Sequence, residues 1–112
     1  MPTAAESAAP IRSLFAGDAD MADLVSAFVA EMPGRVTALE GLWREQALED
    51  LRRAAHQLKG SGGGYGFPVL SAAAGELEQT LNGLAQGSVQ RTTEDLRRAY
   101  EQLTSLCRRV GV

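Results

Sequence analysis

The sequence has 112 residues, of which 45% are apolar and 22% are charged. This length and composition are typical of one soluble globular domain and leave little room for a second. The net charge of −3, from 11 basic and 14 acidic side chains, argues against a dedicated nucleic-acid-binding protein. The single cysteine, Cys107, excludes an internal disulfide, and no apolar run approaches the length of a membrane span.

The first residues differ in composition from the rest of the chain. Residues 1–17 are rich in Ala, Ser, Thr and Pro and are predicted to form a flexible lead-in, which assigns the folded domain to residues 18–112. Within the lead-in, Ile11, Leu14 and Phe15 have the spacing of one helical turn able to pack on the domain. The chain lacks the basic start and apolar run of a signal peptide, so a cytoplasmic location is expected.

From residue 18 onward the apolar period is helical, and no alternating strand pattern occurs. A first helix is expected to begin near Asp18 or Asp20, since either carboxylate can cap free amide groups. Pro33 is predicted to end that helix and open a second one, a third begins around Ala47, and Pro68 opens a fourth. The residues expected to face the core recur every three or four positions: Met21, Leu24, Val25, Phe28, Val29 and Met32 in the first helix, Val36, Leu39, Leu42 and Trp43 in the second, Leu48, Leu51, Ala55 and Leu58 in the third, Leu70, Ala73, Ala74, Leu77, Leu81 and Leu84 in the fourth, and Leu96, Ala99, Tyr100, Leu103, Leu106, Cys107 and Val110 in the last.

Short connections between these helices favour antiparallel neighbours. Gly87 and Ser88 separate the fourth helix from the last one, and Arg108 and Arg109 stand where they complement the last helix dipole. The predicted fold is therefore all-α, an up-and-down antiparallel four-helix bundle with an additional short N-terminal helix.

One segment does not fit a purely structural role. Five of the seven residues from Gly60 to Gly66 are glycine, and each glycine inside a helix costs roughly 0.5–1 kcal/mol relative to alanine. A tight turn needs only one or two of them. The excess indicates that something outside the chain must approach this backbone closely.

His56 lies beside that segment, on the third predicted helix. At 3.6 residues per turn it falls roughly 115° from the centre of the apolar face, so its ring should be reachable from solvent. Its neighbours one turn away are Arg52, Lys59 and Gly60. Arg52 is interpreted as an ordinary surface charge.

An exposed imidazole beside a cation suits a nucleophile that accepts a phosphoryl group. A neutral imidazole nitrogen attacks well near neutral pH, and the phosphorylated ring carries close to two negative charges. Lys59 can offset part of that charge and donate a hydrogen bond, an attraction of about 1–4 kcal/mol near a surface. The small residues beyond His56 would let a second protein bring its own phosphoryl group to the ring.

The run from Ala55 to Phe67, with the sequence AHQLKGSGGGYGF, resembles the signature of the histidine-containing phosphotransfer (HPt) domain family. The core of that signature is His, two residues, Lys-Gly, and then further small residues. Downstream, Ala74, Leu77 and Glu78 match the family's "A…LE" stretch, and residues 24–29 resemble its first bundle helix. The resemblance covers roughly residues 18–85.

The resemblance implies a phosphorelay carrier of two-component signal transduction. It implies that His56 is the phosphorylated residue and that Lys59 and Gly60 are its usual companions. It also implies that Glu78, where some relatives carry Gln, hydrogen-bonds the other ring nitrogen; a solvated or intrahelical role for Glu78 is the open alternative. The docking surface predicted around the histidine consists of six residues: Gln57, Gly60, Ser61, Gly63, Gly64 and Tyr65.

The expected partners are receiver domains of response regulators or of hybrid sensor kinases. Phosphoryl groups would come from the phosphoaspartate of one receiver domain and go to another, with Mg²⁺ held by the partner. The chain itself is expected to bind no cofactor or metal, no nucleic acid and no membrane, to be a monomer, and to have no ATP site and no autonomous kinase activity.

The sequence also allows or excludes functions other than phosphoryl transfer. The main alternative is a non-catalytic module that docks on receiver domains without transferring phosphate. A nucleotide-phosphate loop is excluded, because that motif follows a strand and places Lys-Ser/Thr after its glycines. A metal site is disfavoured because His56 and Cys107 are far apart, and a hydrolase lacks a nucleophile–base pair. Trp43, Tyr100 and Cys107 are interpreted as core residues.

Overall fold

The computed structural model describes residues 10–87 and 91–111. These residues form four α-helices, α1 (Ala22–Arg44), α2 (Leu48–Gly64), α3 (Pro68–Ala85) and α4 (Thr93–Arg109), and two very short strands, β1 (Ile11–Arg12) and β2 (Val110–Gly111). The prediction of an all-helical domain is confirmed, apart from those two strands. The predicted helix starts at Ala47 and Pro68 are correct to within one residue.

The predicted break at Pro33 is wrong, because α1 continues through it as one helix. The buried positions on either side of the proline, such as Met32, Val36 and Leu39, keep a spacing of three or four and so form one stripe. An interior proline costs about 3 kcal/mol, whereas each buried Val or Leu contributes about 1.5–3 kcal/mol. Burial of this stripe therefore outweighs the lost hydrogen bond.

The start of α1 also differs from the prediction. Asp18 and Asp20 lie in a turn before the helix, where the Asp20 N–H donates to Asp18 Oδ1 at 2.9 Å and the Met21 N–H donates to the Asp18 carbonyl. No side chain caps the first turn of α1. Leu24, expected to face the core, is 50% exposed, because it lies at the edge of the stripe centred on Val25 and Phe28.

In the segment before α1, where one helical turn was predicted, only Ile11–Arg12 is extended, and residues 13–18 form hydrogen-bonded turns. Ile11 pairs in parallel with Val110, Leu14 is 75% exposed, and a separate short helix is absent from residues 10–21. The additional N-terminal helix is thus not confirmed, because the first predicted helix is the N-terminal part of α1 and is continuous with the second. Residues 1–9 and Ser88 lie outside the described residues, and the flexible lead-in and its boundary at residue 18 stay predictions.

The core lies where the apolar faces of the four helices meet. In the described residues α2 packs against α3, α3 against α4, and α1 against both α2 and α4. The rings of Trp43 and Tyr100 stack with centroids 4.4 Å apart, and Cys107 is buried, which confirms these three as packing residues. Burial raises the pKa of the Cys107 thiol to about 11. None of the described helices is long and apolar enough to cross a membrane.

The last helix has well-defined ends. Thr92 Oγ1 accepts a hydrogen bond from the Asp95 N–H, and the Asp95 carboxylate accepts one from the Thr92 N–H, which is a capping box. Arg108 and Arg109 lie in the last turn, as predicted. The chain then pairs with β1, so both ends of the described domain are tied together beside α1.

Candidate functional site

The orientation of α2 exposes His56 to solvent. Leu51, Ala55 and Leu58 are buried and form the inner face of the helix, and His56 points away from them with 68% of its side chain exposed. The helix does not end at the glycines but continues to Gly64. His56 therefore lies near the middle of a helix rather than on a loop.

Glu78 of α3 holds the imidazole from the neighbouring helix. Its Oε2 lies 2.7 Å from His56 Nδ1, and only 12% of the Glu78 side chain is exposed. An ionised carboxylate can only accept hydrogen bonds, so this contact favours the tautomer with the proton on Nδ1. The other ring nitrogen, Nε2, then carries the free electron pair needed for a nucleophile.

Lys59 lies against the other oxygen of the same carboxylate. Its Nζ is 3.9 Å from Glu78 Oε1, and 49% of the Lys59 side chain is exposed. One buried carboxylate thus faces both the imidazole and the ammonium group. Their shared contact with Glu78 brings Lys59 and His56 to the same exposed part of the surface.

Arg52, one turn before His56, is held by a different partner. Its guanidinium donates two hydrogen bonds to Glu49, at 3.1 and 2.6 Å. The hydrogen bond and negative charge of Glu49 raise the pKa of Arg52, and the more distant Glu78 carboxylate acts in the same direction. This pairing agrees with the interpretation of Arg52 as a surface charge.

The glycines of α2 fall into two groups. At Gly60 and Gly64 an added Cβ would meet nothing within 4 Å, so open space lies beyond this backbone. At Gly62 and Gly63 it would meet Ser71 of α3, at 3.3 Å from the backbone nitrogen and 3.4 Å from the side-chain oxygen respectively. The open surface predicted from the sequence is therefore limited to part of the run, and the remainder lets α3 approach closely.

Gly66 has a third role, in the turn between α2 and α3. Its φ of +86° is a left-handed conformation that favours glycine. Its carbonyl accepts a hydrogen bond from the Leu14 N–H at 2.8 Å, while the Ser13 hydroxyl donates to the Tyr65 carbonyl at 2.6 Å. The segment before α1 thus packs directly on the end of the glycine run.

The other predicted docking residues differ in exposure. Gln57 is exposed, and its carbonyl accepts a hydrogen bond from the half-buried Ser61 hydroxyl. Tyr65 is half-buried, with its ring centroid 5.0 Å from that of Phe28. Part of the Tyr65 side chain therefore belongs to the margin of the core rather than to a free surface.

Two residues of α3 that contact Lys59 were not predicted from the sequence. Ser71 Oγ donates to the Lys59 carbonyl, and the aliphatic stem of Lys59 lies over Gly75. A signal for them was present, because residues 71, 75 and 78 are spaced to share one helix face. Within the described ranges, no three His, Cys, Asp or Glu side chains are grouped as metal ligands.

Comparison with known proteins bears directly on this arrangement. The sequence model of the Hpt domain matches residues 23–110, which includes all of the four helices except Ala22 and contains the His56–Glu78 pair. The chain belongs to the Hpt domain family. Hpt domains are phosphotransfer modules of two-component signalling, and this chain is such a module.

A curated relative agrees with this assignment. The chain is 31% identical over 94 residues to the chemotaxis protein CheA of Halobacterium salinarum, an alignment that covers 77% of this chain and 14% of CheA. The Hpt chain therefore spans a small part of that relative's length. No solved structure matches the chain.

Proposed function

We propose that this Hpt domain carries a phosphoryl group on His56, accepting it from the phosphoaspartate of one receiver domain and passing it to another. The observation that supports this most strongly is the exposed imidazole whose Nδ1 lies 2.7 Å from the buried Glu78 carboxylate. A histidine that was only a solvated surface residue would need no such partner from a second helix.

In the proposed step, His56 Nε2 attacks the phosphorus of the partner's phosphoaspartate. An N–P bond forms, the P–O bond to the aspartate breaks, and the aspartate leaves as a carboxylate. The ring gains positive charge as it attacks while Nδ1 keeps its proton, and the Glu78 carboxylate stabilises that charge and fixes the ring. Transfer to the next receiver domain is the reverse of this reaction.

Lys59 and the open backbone have complementary roles in this proposal. Lys59 stabilises the negative oxygens of the phosphoryl group. Gly60 and Gly64, together with the exposed Gln57, leave room for the partner's acidic pocket to reach the ring. Mg²⁺ would be held by that pocket, and this chain would bind no cofactor of its own.

Several finer properties belong to the same proposal. The four helices would form an antiparallel up-and-down bundle, and the domain would act as a cytoplasmic monomer. It would have no kinase activity of its own and would depend on its partners for each phosphoryl group. Receiver domains of response regulators or hybrid sensor kinases are the partners proposed.

The proposal is tested by mixing the domain with a phosphorylated receiver domain and Mg²⁺ and following label on this chain. Acid-labile label is expected on the wild type and on Gln102→Ala, an exposed change on α4 that serves as the matched control. Label should be absent from His56→Gln. Complex formation without transfer to wild type, across several receivers, would instead support the non-catalytic docking module.

The similarity to CheA favours one more specific candidate, a role of this domain in chemotaxis signalling. A panel of receiver domains that includes one from a chemotaxis system separates this candidate from a general relay. Faster transfer with the chemotaxis receiver than with the others supports it. Equal or slower transfer with that receiver contradicts it and leaves the general proposal intact.

A further inference from the structure

Three residues of α3 contact Lys59 in succession along its length. The first is Ser71, whose hydroxyl donates a hydrogen bond of 2.7 Å to the Lys59 backbone carbonyl. This bond joins α3 to α2 at the residue just before the glycine run. It fixes the position of the Lys59 backbone relative to α3.

The second contact is at Gly75, one turn further along α3. A Cβ at this position would lie 3.4 Å from Lys59 Cδ, 3.6 Å from Cε and 3.9 Å from Cγ. The stem of the lysine therefore crosses α3 where the helix has no side chain. A residue with a long side chain at position 75 would occupy the same space as the stem.

The third contact is Glu78, whose Oε1 lies 3.9 Å from Lys59 Nζ. Positions 71, 75 and 78 are separated by four and three residues, which places them in a row on one helix face. The row meets the carbonyl, the stem and the ammonium group of Lys59 in that order. Its last member is also the residue that contacts the His56 ring.

We propose that Ser71 and Gly75 are positioning residues that seat Lys59 across α3, so that its ammonium group lies beside His56 and meets the incoming phosphoryl group. This inference rests on the proposed phosphoryl transfer to His56. Lysine loses much rotamer freedom when it is fixed. A stem already seated at Gly75 leaves only the terminal part of the side chain to be ordered when Nζ turns from Glu78 to a phosphoryl oxygen.

A purely structural role for Gly75 is the alternative, in which the glycine only allows two helices to pack. The two roles differ in what happens when Lys59 is removed. If Gly75 acts through Lys59, its replacement should matter only while the lysine is present. If Gly75 serves packing alone, its replacement should have the same effect in either background.

The experiment measures the rate of phosphoryl transfer from a phosphorylated receiver domain to full-length variants of this chain. Gly75→Gln is expected to lower the rate by about tenfold, the order expected for one charge-assisted hydrogen bond. Gly75→Ala should lower it less, because a single Cβ makes only ordinary contact with the stem. Ser71→Ala should lower it by about threefold, the order of one net hydrogen bond.

Gly41→Gln is the matched control, since an added Cβ at this glycine of α1 meets nothing within 4 Å, and it should leave the rate unchanged.

In the Lys59→Ala background, Gly75→Gln and Ser71→Ala should cause no further loss of the transfer rate. A further loss as large as in the wild-type background overturns the inference, as does an unchanged rate in folded Gly75→Gln. If Gly75→Gln fails to fold, Ser71→Ala and Gly75→Ala in the two backgrounds decide the question. Absence of label on the wild type would instead overturn the proposed function.

Discussion

Two helices of this domain contain residues that normally interrupt helices, and both continue through them. In α1 the residue is Pro33, and in α2 it is the part of the glycine run from Gly60 to Gly64. The local propensities alone predict a boundary at each place. The two regions differ in what surrounds the unfavourable residues.

Around Pro33 the explanation is burial. Met32 and Val36 on either side are in the core, and the proline itself is exposed. Around Gly60 and Gly64 the outward surface is open, and the exposed His56 lies one turn from Gly60. An unfavourable residue supported by core packing is thus part of the scaffold. The glycines that leave open backbone beside an exposed histidine are where the docking surface is proposed.

The largest effect is expected at Gly66, which ends the glycine run. Gly66→Ala should lower the free energy of unfolding by about 2–4 kcal/mol, for two reasons. Alanine is strained in the left-handed conformation of this residue, and its Cβ would overlap the Ser13 side chain. For a domain of this size that shifts the melting temperature by roughly 10 °C or more. Thermal unfolding followed by circular dichroism measures the change.

Gly87→Ala is the control for Gly66, because Gly87 also has a positive φ, +74°, but its Cβ would meet nothing within 4 Å. It should cost only the conformational part, about 1–2 kcal/mol. Equal losses of stability in the two variants would contradict the close packing of the segment before α1 on the turn between α2 and α3.

Much of this arrangement could be predicted from the sequence. The helical period identified α2, α3 and α4, and the angular position of His56 on its helix placed the ring in solvent. Both follow from patterns within one helix. The resemblance to a family, rather than any local pattern, pointed to Glu78 on another helix, and the structure places its carboxylate at hydrogen-bonding distance from the ring.

The features that were not predicted depend on contacts between distant segments. The pairing of Ile11 with Val110 and the hydrogen bond from Leu14 to Gly66 join parts of the chain whose residues carry no local signal for each other. The continuity of α1 did leave a signal, since its buried stripe keeps the same phase across Pro33. The constant spacing of the buried residues across Pro33 predicts one helix, whereas the proline alone predicts two.

A smaller effect is expected at Pro33, in the opposite direction. Pro33→Ala should raise the free energy of unfolding by about 1–2 kcal/mol. The substitution restores a helical hydrogen bond, but it also increases the conformational entropy of the unfolded chain, which offsets part of the gain. Urea unfolding measures it. Phosphoryl transfer to His56 should not change, because this part of α1 is scaffold.

Pro68→Ala is the control for Pro33, because Pro68 is the first residue of α3, where no helical hydrogen bond is lost. No gain in stability is expected there. A loss of stability in Pro33→Ala would contradict the explanation of α1 by burial of a continuous stripe, since it would mean that the proline itself supports the helix.

The smallest change in stability is expected for two glycine substitutions that compare α1 near Pro33 with the glycine run of α2. Gly60→Ala in α2 and Gly34→Ala beside Pro33 in α1 each add one methyl group to open space. Each should raise the free energy of unfolding by about 0.5–1 kcal/mol, since alanine is the better helix former. Urea unfolding of the two variants should give similar gains.

Phosphoryl transfer should separate these two variants even though their stabilities agree. Gly60→Ala places its methyl group where a partner is proposed to reach His56, so transfer should slow at low receiver concentration and recover at saturating concentration. Gly34→Ala should transfer at the wild-type rate at every concentration. Equal rates for both variants would mean that the open backbone of α2 has no part in docking, and that its glycines, like Pro33, are tolerated only because the surrounding packing supports the helix.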